Sequence, residues 1–366
     1  MQTDIVQFGT SRFLQAHVDL FLSEAAQATG AGPRVTVVQT TASAQSTRRV
    51  AAFNLGCFPV RVRGMSQDIV IDRMVEVRSV ARGLVADRDW PTLEAIVISE
   101  AKILLSNTGD RGYELNPSDR PNGAVPRSFP AKLIRLLLAR HRRGGDPLDI
   151  YPCELISGNG DTLRRIVLAL AGQWELGPSF TGWLAQECRW VNSLVDRIVS
   201  EPIEPVGAVA EPYALWAIAA RPGLEPPCRH ADIVVTDRLE AYERLKLFIL
   251  NLGHSFLVEL WRQAGAPEGV TVLDAIGDPR MRIALDDLYL QEVLPVFEAI
   301  GQGAEAEAYR ATTMERFANP FLRHLLSEIA NNHRAKLERR FRPLVALAEA
   351  SAPALRQPCL RAALAG

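Results

Sequence analysis

The sequence predicts an α/β protein, with a mostly parallel sheet in its N-terminal domain and an all-helical C-terminal domain. Residues 4–8 form an apolar run that ends at Gly9, followed by an amphipathic helical pattern and a β-branched run at residues 34–39. This strand, turn, helix and strand open a parallel sheet. After Asp237, Ala, Leu, Glu and Arg recur at helical spacing. A chain of 366 residues is long for one core, so we predict two domains, residues 1–236 and 237–366.

The same patterns predict the remaining elements in order. The predicted strands are residues 60–62, 69–71, 74–78, 96–99, 103–105, 148–150 and 233–235. The predicted helices before the boundary are residues 130–142, 162–170 and 184–198. Pro and Gly are frequent at residues 202–227, which predicts a loop-rich connection.

The composition argues against several classes of protein. The formal net charge of −1 gives no general attraction to nucleic acid or to an acidic membrane. No apolar run reaches the roughly 18 residues that a membrane helix needs. The five cysteines are widely spaced and no CxxC or HExxH occurs, so we expect neither a disulfide framework nor a metal site. We expect a cytoplasmic protein, a monomer or small homo-oligomer, that binds a small-molecule substrate.

A glycine turn follows the first strand. Glycine between a strand and a helix permits the tight turn where a dinucleotide pyrophosphate binds. Ser11 stands where the usual fingerprint has a second glycine, so the motif is equally typical of a simple turn. The candidate NAD or NADP site of a Rossmann-like domain consists of Phe8, Gly9, Thr10, Ser11, Arg12 and Phe13.

Two further segments bear on the cofactor. The second strand ends without the acid that holds an adenosine ribose; Thr41 follows it, with Arg48 and Arg49 beyond. This either weakens NAD preference or admits the 2′-phosphate of NADP, and simple polar loop residues are the alternative. Asn107 and Thr108 follow another strand, as a nicotinamide-side loop or as an ordinary turn.

Residues 242–257 are predicted to form a helix with a second, unusually apolar face. At roughly 100° per residue, Glu243, Lys246, Asn251 and His254 fall within about 140°, together with three leucines. A solvated face would carry more charge and less leucine. An amine, an amide and an imidazole therefore project into a half-buried place, where a lysine can transfer a proton. Taken singly, Lys246 is more typical of a surface lysine and His254 of a core histidine.

Two other asparagines have competing interpretations. Asn159 precedes a helical pattern beginning near Asp161, which is typical of a helix N-terminus. Asn192 and Asp196 are four residues apart and share a face of the predicted helix at residues 184–198. Asn192 is a candidate amide donor to a developing alkoxide, with a structural role as the alternative.

In order along the chain, these segments resemble the polyol-specific long-chain dehydrogenases, the mannitol dehydrogenase family, from residue 4 to about residue 342. The family pattern of Lys, four residues, Asn, two residues and His is matched by Lys246, Asn251 and His254. Residues 192–197 match its NxxVDR segment, residues 211–216 are similar to EPFxxW, and residues 316–320 match RFxNP. Residues 106–108 and 152–160 look most like the tagaturonate reductase branch.

The resemblance implies a metal-independent oxidoreductase that transfers hydride between a nicotinamide and a secondary alcohol or ketone of a polyol, sugar acid or sugar phosphate. Lys246 would be the general acid/base, and Asn192 and Asn251 would hold the alkoxide. His254 would position a neighbouring hydroxyl, and Glu243 would connect the lysine to water, unless it forms only a helix ion pair. The expected substrate contacts are Asn159, Asn319, Arg323 and Lys336, the last two at an anionic end.

Two other functions compete with this prediction. A β-hydroxyacid or 6-phosphogluconate-type dehydrogenase also joins a nucleotide domain to helices and uses a lysine, but the NxxVDR segment and the absent GxGxxG argue against it. A nucleotide-sensing binding protein with a decayed site agrees with Ser11 and the missing ribose acid. The intact Lys246, Asn251 and His254 oppose it, since a sensor need not keep a proton-transfer group.

Overall fold

The computed structural model describes residues 2–41, 43–66, 69–109 and 111–366, apart from the side chain of Gln45. The chain divides into two compact units. Unit 1 consists of Met1–Val62, Arg73–Ala210 and Ala214–Leu239, and unit 2 consists of Arg63–Asp72, Glu211–Tyr213 and Glu240–Gly366. Unit 2 therefore combines the C-terminal part of the chain with two short stretches from earlier in the sequence.

The strands lie before residue 237. They are β1 (Ile5–Phe8), β2 (Val35–Gln39), β3 (Phe58–Ser66), β4 (Ile69–Val77), β5 (Val80–Val85), β6 (Ile103–Ser106), β7 (Asp149–Pro152), β8 (Arg189–Trp190), β9 (Ser193–Asp196), β10 (Val199–Pro202), β11 (Ala208–Ala210), β12 (Leu215–Ala219) and β13 (Ile233–Thr236).

The first seven helices also lie there. They are α1 (Arg12–Gln15), α2 (Val18–Thr29), α3 (Ala44–Phe53), α4 (Trp90–Ser99), α5 (Phe129–Arg142), α6 (Asn159–Gln173) and α7 (Pro178–Gly182). The later helices are α8 (Leu239–Leu245), α9 (Leu252–Gln263), α10 (Val272–Gly277), α11 (Pro279–Leu288), α12 (Leu294–Ala299), α13 (Gly303–Phe317), α14 (Leu326–Ile329), α15 (His333–Arg340), α16 (Arg342–Ser351) and α17 (Pro358–Ala365). Wider π turns occupy Trp183–Glu187, Lys246–Asn251 and Tyr289–Val293.

Unit 1 is organised around a six-stranded parallel sheet in the order β5-β2-β1-β6-β7-β8. Numbered along the chain within the sheet, this is the order 3-2-1-4-5-6 of a Rossmann domain. β1 and β2 are apolar and completely covered, as strands of a parallel sheet with helices on both faces must be. The predicted Rossmann-like sheet is confirmed, and its strand order reverses between β1 and β6.

Two smaller sheets accompany it among the described residues. One has the order β10-β11-β3-β4, and the other has the order β13-β12-β9. The β12 strand pairs with β13 in parallel and with β9 in antiparallel orientation.

Unit 2 is helical from Glu240 onwards, which confirms the predicted helical C-terminal part. Leu252, Leu257 and Val258 of α9 are buried in its core, and α9 packs against α10, α11, α14 and α15. A helix long and apolar enough to span a membrane is not found in the described part of the chain.

One predicted strand is a helix. Residues 96–99 form the last turn of α4, where Leu93, Ile96 and Val97 face the core. Pro91 lies in the first turn of α4, a position that suits proline because its missing N–H has no helical acceptor. A short apolar run fits a strand or a buried helix equally well, and here the longer pattern before it decides the outcome.

One predicted helix is mostly extended. Residues 184–198 contain the end of the π turn Trp183–Glu187 and then β8 and β9. Asn192 therefore lies between two strands, and its predicted helical pairing with Asp196 is wrong. Trp190 of β8 and Val195 of β9 are buried. The apolar residues that suggested one face of a helix therefore belong to strands of two different sheets.

A buried carboxyl lies where α2 packs on β1. Asp19 in the first turn of α2 is completely buried, and its Oδ2 accepts a 3.3 Å hydrogen bond from Gln7 Nε2. Asp19 Oδ1 and Gln7 Oε1 have no partner among the described residues. Burial raises the pKa of Asp19 to about 7, although the bond from Gln7 opposes this shift.

We expect Asp19→Asn to stabilise the protein increasingly as the pH rises to about 7, and by a constant amount above that pH. An acid whose pKa is raised on folding contributes stability below its unfolded pKa of 3.8 and loses it as the pH rises through about 7. The substituted amide has no proton to lose and can donate to Gln7 Oε1. Urea unfolding between pH 5 and 8 should show the variant gaining on the order of 1 kcal/mol per pH unit over wild type up to about pH 7.

Asp89→Asn is the matched control, because Arg88 holds the pKa of Asp89 below its usual value and its charge is constant over this range. It should leave the pH slope unchanged. A parallel pH dependence for wild type and Asp19→Asn would mean that Asp19 is ionised throughout.

Candidate functional site

The glycine turn lies at the point where the order of the parallel sheet reverses. Gly9 follows β1, and Asn107 follows the neighbouring strand β6. The backbone N–H of Asn107 donates to the carbonyl of Phe8 at 3.0 Å. Gly9 has a φ of +123°, and a Cβ there would lie 2.4 Å from the Asn107 carbonyl oxygen. Only glycine fits this turn, which is where nucleotides bind in sheets of this order.

The residues after Gly9 have different surroundings. Ser11 caps α1, its Oγ accepting from Leu14 N at 3.3 Å. The Thr10 carbonyl accepts from Gln15 Nε2 at 3.1 Å and from Arg49 Nη1 at 3.2 Å. Arg12 is exposed, and its Nη1 donates to the carbonyl of Ser200 at 3.2 Å.

Three other predicted cofactor residues contribute differently. Phe8 is completely buried and packs on Phe129 with ring centroids 5.2 Å apart, so its side chain belongs to the core. Phe13 stacks on His17 at 4.9 Å. Thr41 is exposed beyond the end of β2.

A buried glutamate, which the sequence did not single out, fixes the loop after β6. Glu154 accepts hydrogen bonds from Ser106 Oγ at 3.0 Å, from Thr108 N and Oγ1 at 2.9 Å each, and from Tyr113 OH at 3.1 Å. Burial, followed by the charge of Glu154, raises the pKa of Tyr113, which keeps its hydroxyl a donor. Asn107 Nδ2 donates to the Cys153 carbonyl at 2.8 Å. The side chains of Asn107 and Thr108 therefore hold the loop in place.

Asn192 and Asn159 both lie at the N-terminal end of α6. Asn192 Oδ1 accepts from the backbone N of Asp161 at 2.9 Å, and its Nδ2 donates to Asp161 Oδ2 at 2.7 Å. Asn159 is buried, and its Nδ2 contacts the carbonyls of Pro152, Glu154 and Ser193 at 2.8–3.1 Å. The predicted substrate contact of Asn159 is therefore corrected: backbone carbonyls take up its amide hydrogens.

In unit 2, the helix that carries Lys246 widens at that residue. Lys246–Asn251 is a π turn in which the N–H of Leu252 reaches the carbonyl of Leu247, five residues earlier. Residue i lies beside i+4 in an α-helix and beside i+5 in a π turn. Regular helical spacing sets Lys246 and Asn251 about 140° apart, at the two edges of the predicted face, and the wider turn reduces that angle. His254 follows one turn later in α9.

Tertiary contacts hold this π turn. Tyr289 OH donates to the Ile249 carbonyl at 2.8 Å, and Arg340 Nη1 donates to the Asn251 carbonyl at 2.9 Å. A Cβ on Gly253 would lie 2.0 Å from Tyr289 OH, so glycine makes room for the hydroxyl. Burial raises the pKa of Tyr289, which therefore remains a donor. None of these contacts is visible in the local sequence around Lys246.

The histidine of the pattern lies in a positively charged environment. His254 is buried, its ring 4.8 Å from that of His324, and its Nε2 has no partner among the described residues. Burial, and then the charges of His324, Arg340, Arg316 and Lys336, lower the pKa of His254 well below its usual value. Burial together with Lys336 and Arg316 lowers the pKa of His324 to about 4. Both imidazoles are neutral at pH 7.

The other predicted residues of unit 2 vary in exposure. Lys246 is 9% exposed, Asn251 and Glu243 are half-buried, and Arg323 is exposed. Lys336 is half-buried, and its Nζ donates to the Ile329 carbonyl at 2.7 Å. Asn319 is buried; its Nδ2 donates to the Arg63 carbonyl at 3.3 Å, and its Oδ1 accepts from Phe321 N at 3.0 Å.

Two of the motif segments meet in a buried ion pair of unit 2. Arg316 Nη2 and Nε donate to Glu211 Oε1 and Oε2 at 2.8 and 3.0 Å, and the guanidinium lies 4.1 Å from the Tyr213 ring centroid. Both charged side chains are almost completely buried. Within the described residues, no three His, Cys, Asp or Glu side chains come together as a metal site would require.

Known proteins resemble the chain over nearly its whole length. The family described as "Mannitol dehydrogenase Rossmann domain" matches residues 3–225, and "Mannitol dehydrogenase C-terminal domain" matches residues 238–365. The altronate oxidoreductase of Bacillus subtilis (strain 168) is 30% identical over 363 residues, covering 93% of this chain and 74% of the relative. That of Halalkalibacterium halodurans is 28% identical over 361 residues, covering 93% and 69%.

Two solved structures share the fold. D-sorbitol dehydrogenase in substrate-free form gives a TM-score of 0.80 at 21% identity, covering 95% of this chain and 76% of that chain. Pseudomonas fluorescens mannitol 2-dehydrogenase, in a ternary complex with NAD and D-mannitol, gives 0.80 at 18% identity, covering 98% and 77%. The chain therefore belongs to the mannitol dehydrogenase family and is an NAD(P)-dependent dehydrogenase.

Proposed function

We propose that the protein interconverts a sugar acid and its keto form, as in the tagaturonate reductase branch, with Lys246 as general acid/base. The relatives named altronate oxidoreductase, at 28–30% identity, support a sugar acid as the substrate. The nicotinamide cofactor, whose pyrophosphate the Gly9 turn would hold, supplies or accepts the hydride. In the oxidative direction, the carbinol carbon loses hydride and Lys246 takes the hydroxyl proton.

The π turn supports the role of Lys246. Because a π turn places residue i nearer to residue i+5 than an α-helix does, we infer that one substrate oxygen can contact both Lys246 and Asn251. Asn251 then donates a hydrogen bond to the oxygen as it gains negative charge, and Asn192 is proposed as a second amide donor. His254 is neutral, and its Nε2 is available to a neighbouring substrate hydroxyl. Glu243, on the turn before Lys246, is proposed to connect the lysine to water.

The positive charge around His254 is the reason for proposing a sugar acid, rather than a neutral polyol, as the substrate. At pH 7, where His324 is neutral, the cations that lower the pKa of His254 are Arg340, Arg316 and Lys336. A positive field of this kind favours a carboxylate over a neutral polyol. Lys336, whose charge acts on both imidazoles, is the proposed contact for the carboxylate, and the exposed Arg323 is the second candidate. Asn319 is proposed as a further substrate contact beside these residues.

We expect Lys246→Ala to lower the rate of hydride transfer with altronate by on the order of 100-fold or more. The measurement is absorbance of the reduced nicotinamide from pH 6 to 10, with NAD and NADP. Cofactor affinity, measured by fluorescence titration, should stay near that of wild type. Lys102→Ala removes an exposed lysine of unit 1 as a control. Unaltered turnover of the Lys246 variant at every pH would end the proton-transfer assignment.

We expect Lys336→Gln to reduce the preference of the enzyme for altronate over a neutral polyol. The ratio of kcat/KM for altronate to that for the neutral altritol should fall about tenfold, because a charged hydrogen bond to the carboxylate contributes about 1.5–3 kcal/mol. If altritol is not turned over, its inhibition constant replaces kcat/KM. Lys336→Arg should retain the preference, and Arg323→Gln tests the second candidate by the same ratio. Equal losses for both substrates would show a structural role only.

We expect Tyr289→Phe to destabilise the fold by about 1 kcal/mol through the lost hydrogen bond to Ile249, and to lower kcat by loosening the π turn. Tyr242→Phe on the adjoining helix is the control. Gly253→Ala should be more harmful in wild type than in the Tyr289→Phe background, where the colliding hydroxyl is gone. Additive effects of the two substitutions on urea unfolding would contradict this packing argument.

A further inference from the structure

A cavity of about 260 Å³ lies in unit 1 beside the glycine turn. It opens where Ser11 and Arg12 follow β1, next to the region in which a nucleotide binds in a Rossmann sheet. Its lining residues are Ser11, Arg12, Gln15, Arg49, Pro202, Ile203, Glu204, Pro205, Val206 and Gly207.

Two guanidinium groups line this cavity without a carboxylate to neutralise them. Arg49, on α3 after β2, is half-buried, and its Nη1 donates to the carbonyl of Thr10. Arg12 donates in the same way to the carbonyl of Ser200. Neither makes an ion pair with a described residue, and Glu204, the one acidic lining residue, is exposed. Each arginine therefore keeps donors and a full charge for an anion.

The last residue of β2 is an amide with a structural role. Gln39 is 3% exposed, and its Nε2 donates to the carbonyls of Thr41 at 2.6 Å and Ser43 at 3.1 Å. Its Oε1 accepts from Thr47 Oγ1 at 3.2 Å. A carboxylate at position 39 could donate to neither carbonyl, so an acid at this position would lose both of these hydrogen bonds.

We propose that Arg49, with Arg12 beside it, binds the 2′-phosphate of NADP, and that this protein prefers NADP to NAD. This assignment rests on the proposed dehydrogenase function and specifies which nicotinamide cofactor that site binds. A phosphate monoester carries about two negative charges and accepts paired hydrogen bonds from a planar guanidinium. Arg49 connects the two places that a dinucleotide must reach, since it is carried by the helix after β2 and contacts the turn after β1. A ribose hydroxyl would leave both charges without a counter-ion.

Fluorescence titration with NADPH and NADH, which needs no substrate, tests this directly. Wild type should bind NADPH more tightly than NADH, and Arg49→Gln should weaken NADPH binding about 10- to 100-fold while changing NADH binding less than about twofold. Arg48→Gln, the exposed neighbour on α3, makes the same change in charge away from the lining and should have little effect. Glu204→Gln, which removes the acidic side chain from the lining, should increase the preference for NADPH over NADH beyond that of wild type.

The outcomes separate the possible errors. Equal losses for both cofactors in Arg49→Gln would mean that Arg49 holds the pyrophosphate, and would overturn the assignment. So would a wild type that prefers NADH, or a larger effect of Arg48→Gln than of Arg49→Gln. Tight NADPH binding without turnover of any sugar acid would leave the cofactor assignment standing and contradict the proposed reaction instead. Turnover with NADH alone would support the reaction and contradict the cofactor assignment.

Discussion

The widening of one helix at Lys246–Asn251 is the constraint on which the proposed chemistry depends. A regular α-helix would place Lys246 and Asn251 at the two edges of an arc of about 140°, and the additional residue in the turn reduces that angle. Such a turn loosens the regular ladder of backbone hydrogen bonds and is uncommon for that reason. Here Tyr289 and Arg340 bind carbonyls of the turn, so neighbouring elements supply part of what the widened helix gives up. The position of Lys246, the proposed proton-transfer group, is therefore a property of the packing of unit 2.

Burial and charge act together around the same helix. Because the imidazoles of His254 and His324 are buried among cations, they remain neutral at pH 7, which leaves hydrogen-bonding groups without adding further positive charge. One cation of this region is already neutralised, since Arg316 is held by Glu211. The arrangement fits a ligand with one carboxylate and several hydroxyls better than a fully neutral polyol. The proposed preference for sugar acids thus depends on which cations are not neutralised by a carboxylate, rather than on how many arginines the sequence contains.

Sequence periodicity predicted the parallel sheet, the glycine turn and the helical C-terminal part because each of these depends on local pattern. It was wrong for residues 96–99, since three consecutive apolar residues satisfy a strand and a buried helix turn equally. It also missed the π turn, whose cause is a hydroxyl 40 positions away from the carbonyl that it binds. The structural roles of Asn159 and Gln39 could not be predicted either, because their hydrogen-bond partners are not apparent from the sequence. An amide that holds backbone carbonyls looks identical in sequence to one that binds a ligand, and only the positions of those carbonyls distinguish them.

The motifs that carry the family resemblance divide into parts that build the protein and parts suited to chemistry. Asn192 caps α6, and Glu211 of one segment pairs with Arg316 of another in a buried site where removing either partner leaves an unpaired charge. Such residues would persist in a binding protein that had lost its reaction, so their presence says little about catalysis. The π turn is different, because a helix without a reaction to serve could relax to regular geometry and give up its dependence on Tyr289 and on the glycine at 253. The π turn, together with the presence of Lys246, Asn251 and His254, therefore argues against a decayed sensor and for a working dehydrogenase.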